Sequence, residues 1–381
     1  MRRKASPAVP APRPVMRARL IALAALLVAA CSAPPPSTAS PTPSPTREPG
    51  TYAVTALLDL SGSRGPRGDA QRNAMQQWAS SGAQRTSPRV KLRIVDVAGS
   101  DAKLLLELKR AADAGDTDAF VIGVPATLDD ALMGAIALVR RPVLFTLPIP
   151  EPTGDAARWI FGLAPTPDAL ARALVDALPT PATPGIVVTS GTLASGREKV
   201  ALDGAFRAEG RAAPLTMSAA PDQRELFAQR SRPFLGTSSG MFFTGPTAAY
   251  LDPVRVVPAA DPATTVLVFL SYLTDPNEAS RLGSSAAGVR WPGLRRPTEL
   301  AVGTHAATAT DALALLAASA DAAGDAERSR ARIEGGTFAG IATTYTFTAT
   351  RHVGVDPREI ALLAWDNGHV VMARPIAGPV R

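Results

Sequence analysis

The sequence predicts an α/β protein of two doubly wound lobes, and three observations carry that reading. Short apolar runs that read as buried strands alternate with longer stretches of helical period. The alternation spans roughly a hundred residues, meets a loop rich in Pro and Gly at 148–155, and resumes for a second unit of similar length. The chain has 381 residues, 46% of them hydrophobic and only 19% charged, which is enough to bury two such cores.

The first element is expected to be removed. MRARLIALAALLVAAC, from Met16, places two arginines before an apolar run, Leu20–Ala30, and then Cys31. The run is shorter than the roughly 20 residues that span a bilayer but suits the apolar region of a secretory signal. Small residues ahead of Cys31 match a bacterial lipobox, in which the cysteine is diacylated and becomes the mature N-terminus. The alternative is an ordinary signal peptide with an incidental cysteine. Cys31 is the only cysteine in the chain, so the lipoprotein reading is preferred, and no disulfide within the body is expected. Met16 is a candidate start codon. SAPPPSTASPTPSPTREPG (32–50) holds seven prolines among Ser and Thr and reads as an extended tether. The formal charge of +7 includes six basic residues before position 31, where no acid stands; without them the balance is 7 − 6 = +1. A near-neutral body with no basic stripe is not expected to bind nucleic acid.

In the body, Val54–Leu58 reads as a strand and Asp69–Ser81 as a helix. VKLRIVDV (strand), AKLLLELKRAADAG (helix ending at Gly115), DAFVIG (strand), LDDALMGAIALV (helix) and PVLFTL (strand) follow. Four strands and three helices in this order call for a parallel sheet with right-handed crossovers. After the segment Trp159-Ile160-Phe161 come PDALARALVDAL (helix), GIVVTS (strand) and SGREKVALDGAFRAEG (helix). MFFTG and TTVLVFLSYL read as strands, DALALLAASADAA as a helix, and YTFTAT and ALLAWDNGHVVMA as closing strands with a hairpin at Asp366-Asn367-Gly368. Ligands of such sheets bind outside the carboxyl ends of the strands.

Few motifs point to catalysis. His305, His352 and His369 lack paired spacing, so no metal or other cofactor is expected. Gly236-Thr237-Ser238-Ser239-Gly240 fits G-x-S-x-G, but a nucleophile elbow needs its strand before the serine, and here MFFTG comes after it. The glycines of LLDLSGSRGPRGDAQRN (57–73) fit neither the P-loop nor G-x-G-x-x-G. Asp69 is expected to cap the following helix, and Arg67-Gly68-Asp69 to be an accidental adhesion tripeptide.

With these pieces in place, the chain resembles the type I periplasmic binding proteins, the leucine/isoleucine/valine-binding family of ABC-transporter receptors. LSGSRGPRGDAQRNAMQQW is similar to that family's first loop and helix. VKLRIVDVAGSDAKLLLELKRAADAGDTDAFVIGVPATLDDAL resembles its second and third strands with a G-x-x-x-[ST] loop, and PVLFTLPIP its fourth. WIFGLAPTPDALARAL looks like its hinge-and-helix segment, and IVVTSGTLASGREKVALDGAF like the strand, loop and Y-G-x-G helix after it. The resemblance covers roughly residues 52–381 and is weakest over 211–300.

It implies two Rossmann-like lobes with parallel-type sheets, joined by a multi-crossover hinge. The expected division is 1–30 signal peptide, 31–50 lipidated Cys and tether, 51–160 with 303–345 as lobe 1, and 161–302 with 346–381 as lobe 2. By position, Ser61 and Ser63 belong to the first rim loop, and Ala126 and Thr127 to the loop where the family often binds a ligand carboxylate. Thr146 to Ile149 form the next loop. Ser195 stands where the family usually has a tyrosine, and Thr247, Tyr250 and Asp252 near the second set of ligand groups. Thr310 replaces a second family tyrosine.

The implied protein is a monomeric, extracytoplasmic solute-binding lipoprotein, not an enzyme, held to the membrane by its lipid alone. It would capture a small polar ligand, an amino acid being one option, for an ABC permease. The alternative is the same fold kept as an envelope interaction or regulatory lipoprotein; a hydrolase using Ser238 is the third reading.

Overall fold

TYAVTALL, Thr51–Leu58, forms β1, the second strand of a five-stranded parallel sheet. The computed structural model of the chain describes residues 50–61, 65–81, 88–177, 186–189, 193–218, 224–231, 241–244, 267–271, 297–366 and 369–372. The expected signal segment, Cys31, residues 32–49 of the tether, Ser63, the motif at 236–240, Thr247, Tyr250 and Asp252 lie outside the described residues. Among the described residues no helix is long and apolar enough to cross a membrane.

The first sheet contains β2 (Arg89–Asp96), β1, β3 (Ala119–Ile122), β4 (Val143–Phe145) and β5 (Ile160–Gly162), in the order β2-β1-β3-β4-β5. Every pairing is parallel, with Thr51 opposite Arg89 and Val54 opposite Ala119. Parallel strands need helical crossovers, and those helices cover both faces. Side-chain alternation sorts the core accordingly. Val54, Ala56, Leu58, Val121 and Leu144 face one apolar cluster, shared with α1 (Gly65–Ser80) and α7 (Pro297–Ser319). Leu57, Phe120, Ile122, Val143 and Phe145 face the other, shared with α2 (Asp101–Ala114) and α3 (Asp130–Val139).

Local chemistry sets the helix ends. The Ser100 hydroxyl caps α2 by accepting from the Lys103 N–H at 3.2 Å, and Gly115 closes it at a φ of 63°. The Asp129 carboxylate caps α3 by accepting from the Leu132 N–H at 2.9 Å. The helix expected from Asp69 begins four residues earlier, at Gly65. Asp69 therefore lies inside the helix and pairs with Arg72 at 3.0 Å on its exposed side, which corrects its expected role as the cap.

The second sheet holds β6 (Ile186–Thr189), β7 (Leu215–Ser218), β8 (Met241–Phe243), β9 (Leu267–Ser271), β12 (Ala361–Asp366) and β13 (His369–Met372). Its order is β13-β12-β9-β8-β6-β7; β7, β6, β8 and β9 are parallel, and the last two strands antiparallel. Asp366 pairs with His369, as the expected hairpin requires. α4 (Pro167–Ala177) and α5 (Leu193–Ala208) pack together on this sheet, burying Leu174, Val175, Leu202 and Phe206 against Val187 and Phe242. α6 (Arg224–Ser231) adds Phe227, whose ring meets Phe243 edge-on.

The chain passes between the sheets three times, after β5, between β9 and α7, and before β12. The first and third passages run side by side. Gly162 pairs with Val353 in a parallel bridge, its N–H donating to the His352 carbonyl at 2.8 Å while its carbonyl accepts from the Gly354 N–H at 2.9 Å. The Glu151 carboxylate accepts from the N–H groups of His352 and Val353, and His352 Nδ1 lies 3.0 Å from the Ile160 carbonyl. A Cβ on Gly354 would stand 2.6 Å from the Phe347 ring, so no larger residue fits there without a shift.

After α7 come α8 (Ala326–Glu334) and a hairpin, β10 (Thr337–Ala339) with β11 (Thr344–Thr346). Asp311 ties α7 to that hairpin. Its carboxylate accepts from the Ile341 N–H (2.6 Å), the Ala342 N–H (2.9 Å) and the Tyr345 hydroxyl (2.9 Å). Burial pushes its pKa up to about 6, against the pull of those three hydrogen bonds.

Candidate functional site

The loops after β1, β2, β3 and β4 all leave the carboxyl edge of the first sheet, where open α/β sheets bind ligands. Asp59 organises the first of them. Its side chain is fully buried; Oδ1 accepts from the Gly99 N–H at 2.7 Å and Oδ2 faces the Arg67 guanidinium at 3.3 Å. Arg67 is only 1% exposed, so Arg67-Gly68-Asp69 is not displayed for adhesion. A Cβ on Gly68 would fall 1.7 Å from the Asp59 carbonyl oxygen, which is why the first turn of α1 needs a glycine there.

Ser61 is exposed at the rim, with its hydroxyl bonded to Asp96. Although burial opposes it, hydrogen bonds from the Leu60 N–H (2.9 Å), the Ala98 N–H (2.8 Å) and Ser61 hold the Asp96 carboxyl below the usual carboxylate range. The first two rim loops are thereby fastened to each other by Asp59 and Asp96.

Behind the rim the third and fourth loops are joined through Gln71. Its Nε2 donates to the Gly123 carbonyl at 3.3 Å, and the Thr146 hydroxyl donates to its Oε1 at 3.4 Å. Thr146 is fully buried, and its carbonyl accepts from the Thr308 hydroxyl of α7 at 3.5 Å. Ile149 lies inside the second apolar cluster, where its side chain also lies against Gly162 of the hinge. Thr310 turns its hydroxyl back to the Ala306 carbonyl of its own helix at 3.0 Å.

Ala126 and Thr127 are met from the other lobe. Arg197, in the second turn of α5, donates through Nη1 to the Ala126 carbonyl and through Nη2 to Thr127 Oγ1 at 2.6 Å. Ser195, two residues earlier, is buried at the start of the same helix. Both acceptors of Arg197 are neutral, and desolvation lowers its pKa, opposed by the charge of Asp101 on α2. The structure thus brings Ala126, Thr127 and the Ser195 helix to one interface, with Ser61 on the neighbouring rim. Sequence reasoning passed over Arg197, although it stands in the same Ser-Gly-Arg segment as Ser195. What drew notice there was a missing ring, and a reach across the cleft has no sequence pattern.

His305 of α7, noted in the sequence only as a histidine without paired spacing, is a second such feature. It is 6% exposed, and among the described residues neither ring nitrogen has a hydrogen-bond partner. Burial, with the charge of Arg67, lowers its pKa to about 3 and keeps the ring neutral. Among the described residues no group of three His, Cys, Asp or Glu side chains could hold a metal ion. A separate surface groove, lined by residues including Thr51, Gln76, Ser80, Val90 and Leu92, lies at the opposite end of β1 and β2 from these loops.

A parallel sheet, a mixed sheet, three passages between them, and one rim loop bonded from the other lobe define a two-lobed α/β protein. The chain has the type I periplasmic binding protein fold. It is similar to a periplasmic binding protein type 1 from Bordetella pertussis Tohama I, with 15% identity and a TM-score of 0.63 over 86% of this chain and 100% of that one. The leucine-binding protein LivK of Thermotoga maritima matches with 13% identity and a TM-score of 0.61, over 84% and 97% of the two chains. A solute-binding protein of a Rhodopseudomonas palustris ABC transporter, solved with benzoate, matches with 15% identity and a TM-score of 0.59, over 87% and 98%. By sequence, no family model and no curated protein matches the chain.

Proposed function

We propose that this chain is an extracytoplasmic solute-binding lipoprotein that captures a small polar ligand between its lobes and presents it to an ABC permease. The observation that carries the reading is the two-lobed fold with the loop after β3 bridged to the second lobe by Arg197. Solved proteins of the same fold, among them a leucine-binding protein and a solute-binding protein in complex with benzoate, support a binding role and not a catalytic one. The lobes divide as 51–160 with 303–345 and 161–302 with 346–381, and Ser61, Ser63, Ala126, Thr127, Thr146, Ile149, Ser195, Thr247, Tyr250 and Asp252 supply the surroundings of the ligand. Lipidation of Cys31, followed by the proline-rich tether, holds the monomer at the outer side of the membrane. A ligand shifts the lobes only as far as it binds the closed arrangement more tightly than the open one.

Thermal-shift screening against amino acids and small organic acids tests the binding role. Saturating ligand at 100 times its Kd stabilises by about 2.7 kcal/mol, a readily measured rise in Tm. A screen in which nothing raises the Tm counts against transport. For the anchor, Cys31→Ala should move the protein from the membrane fraction to the soluble fraction. Continued membrane retention of that variant would overturn lipidation as the means of attachment.

A further inference from the structure

We propose that Arg197 makes the cleft selective for a small organic carboxylate that lacks an ammonium group. The inference rests on the reading of the cleft as a solute site and specifies the ligand's chemistry.

Arg197 spans the interface with two of its five N–H donors, one on the Ala126 carbonyl and one on Thr127 Oγ1. As acceptors, a carbonyl and a hydroxyl oxygen on a rim loop can receive the N–H bonds of a ligand's ammonium, and a carboxylate finds no partner in the carbonyl. Here a cation of the chain itself already fills them. An amino acid entering with its ammonium toward this loop must displace the guanidinium or sit beside a like charge.

The same geometry leaves the positive charge without a matching anion. Neither acceptor is charged, and no described carboxylate forms an ion pair with Arg197. Asp101, in the first turn of α2, acts on it from a greater distance. Partly removed from water, the guanidinium is costlier to keep charged, as the lowering of its pKa by desolvation records. Among the described residues it keeps three N–H donors unused, and an edge of such a fork matches a carboxylate with two parallel hydrogen bonds. A bound carboxylate would use the unused donors and leave the bonds to Ala126 and Thr127 in place, so it adds to the contact that already joins the lobes.

The test uses the full chain and two matched pairs of probes, read by calorimetry: 4-methyl-2-oxopentanoate against leucine, which differ at the ammonium-bearing carbon, and benzoate against benzamide, which differ in charge. At least one acid should bind, each at least tenfold more tightly than its partner, and Arg197→Gln should weaken acid binding by roughly 10–100-fold. Arg197→Lys keeps the charge but not the fork and should fall between. Circular dichroism and the Tm of each ligand-free variant establish that it is folded. Leucine or benzamide binding as well as its acid, or Arg197→Gln binding acids within twofold of the parent, overturns the assignment and leaves the solute-binding reading standing. No binding of any of the four probes overturns this assignment, and joined to a silent wider screen it removes the solute-binding reading too.

Discussion

Replacing Asp311 by Asn should produce a stability difference that shrinks as pH rises. Asp311 is 1% exposed and accepts three hydrogen bonds that tie α7 to the β10–β11 hairpin. Asn can accept at one oxygen only, and it places an amide N–H₂ where the other carboxylate oxygen received the rest. At pH 4, one or two buried donors then lose a partner, at about 1–3 kcal/mol each. At higher pH the parent carries a burden that the variant lacks. Burial raises the Asp311 pKa from an ordinary 3.8 to about 6, so between these values the native state holds a proton that the unfolded chain has released. Stability contributed by this group is therefore full below about pH 4 and is lost as pH rises through about 6. The difference of 2.2 pH units, at about 1.36 kcal/mol each, comes to about 3 kcal/mol.

The two effects are of similar size and act on different members of the pair. Urea unfolding at pH 4, 5, 6 and 7 isolates them, because every other titrating group is common to both proteins and cancels in the difference. The parent should lead by a few kcal/mol at pH 4, and the gap should close by most of the 3 kcal/mol by pH 7. A gap that stays constant, or widens with pH, would show that the three hydrogen bonds outweigh burial and that the carboxyl is not raised.

Arg67→Met removes a charge partner of the buried Asp59 and should cost about 3–5 kcal/mol, with Arg67→Met/Asp59→Asn recovering part of the loss; an additive double variant would refute the coupling. Gly354→Ala drives a methyl toward the Phe347 ring and should lower stability by about 1–3 kcal/mol, with Phe347→Leu in the same chain restoring some of it, as followed by Tm. His305, with its pKa lowered to about 3, should show no ring titration by NMR between pH 5 and 8. The unfolded chain protonates near pH 6.5, so native stability from His305 is lost as pH falls from there toward 3, and His305→Leu should flatten that decline.

The parallel core was legible because its strands are buried on both faces and therefore read as continuous apolar runs, as in AFVI, VLF and IVVT. The end of α2 was legible because Gly115 takes a left-handed conformation that few other residues adopt. The start of α1 was hidden, since Gly-Pro-Arg-Gly reads as a turn until Gly68 is seen pressed against Asp59. α7 was recognised only from Asp311 onward although it begins at Pro297. Residues 303–313 are buried on every side, between α1, the hairpin and the sheet, so the polar face that gives a helix its period is missing. β7 failed for the opposite reason, being an edge strand with little buried surface.

The rim positions followed from strand order, but their partners did not. Arg197, His305 and Asp59 each act across 40 or more residues or between elements whose meeting only the topology decides. For the proposed solute site, that difference bears on ligand choice. A small ligand gains closure only from contacts it makes in the closed arrangement. Arg197 already joins the lobes through two charge-assisted bonds, each worth about 1 kcal/mol or more even when partly exposed. A ligand that displaces the guanidinium must first replace both bonds, a handicap of roughly tenfold or more in affinity before its own contacts count. One that accepts from the remaining N–H groups starts without that handicap and neutralises a half-buried charge as well. In the proposed solute site, Ser195 in place of a ring would then bear less on ligand choice than the arginine two residues after it.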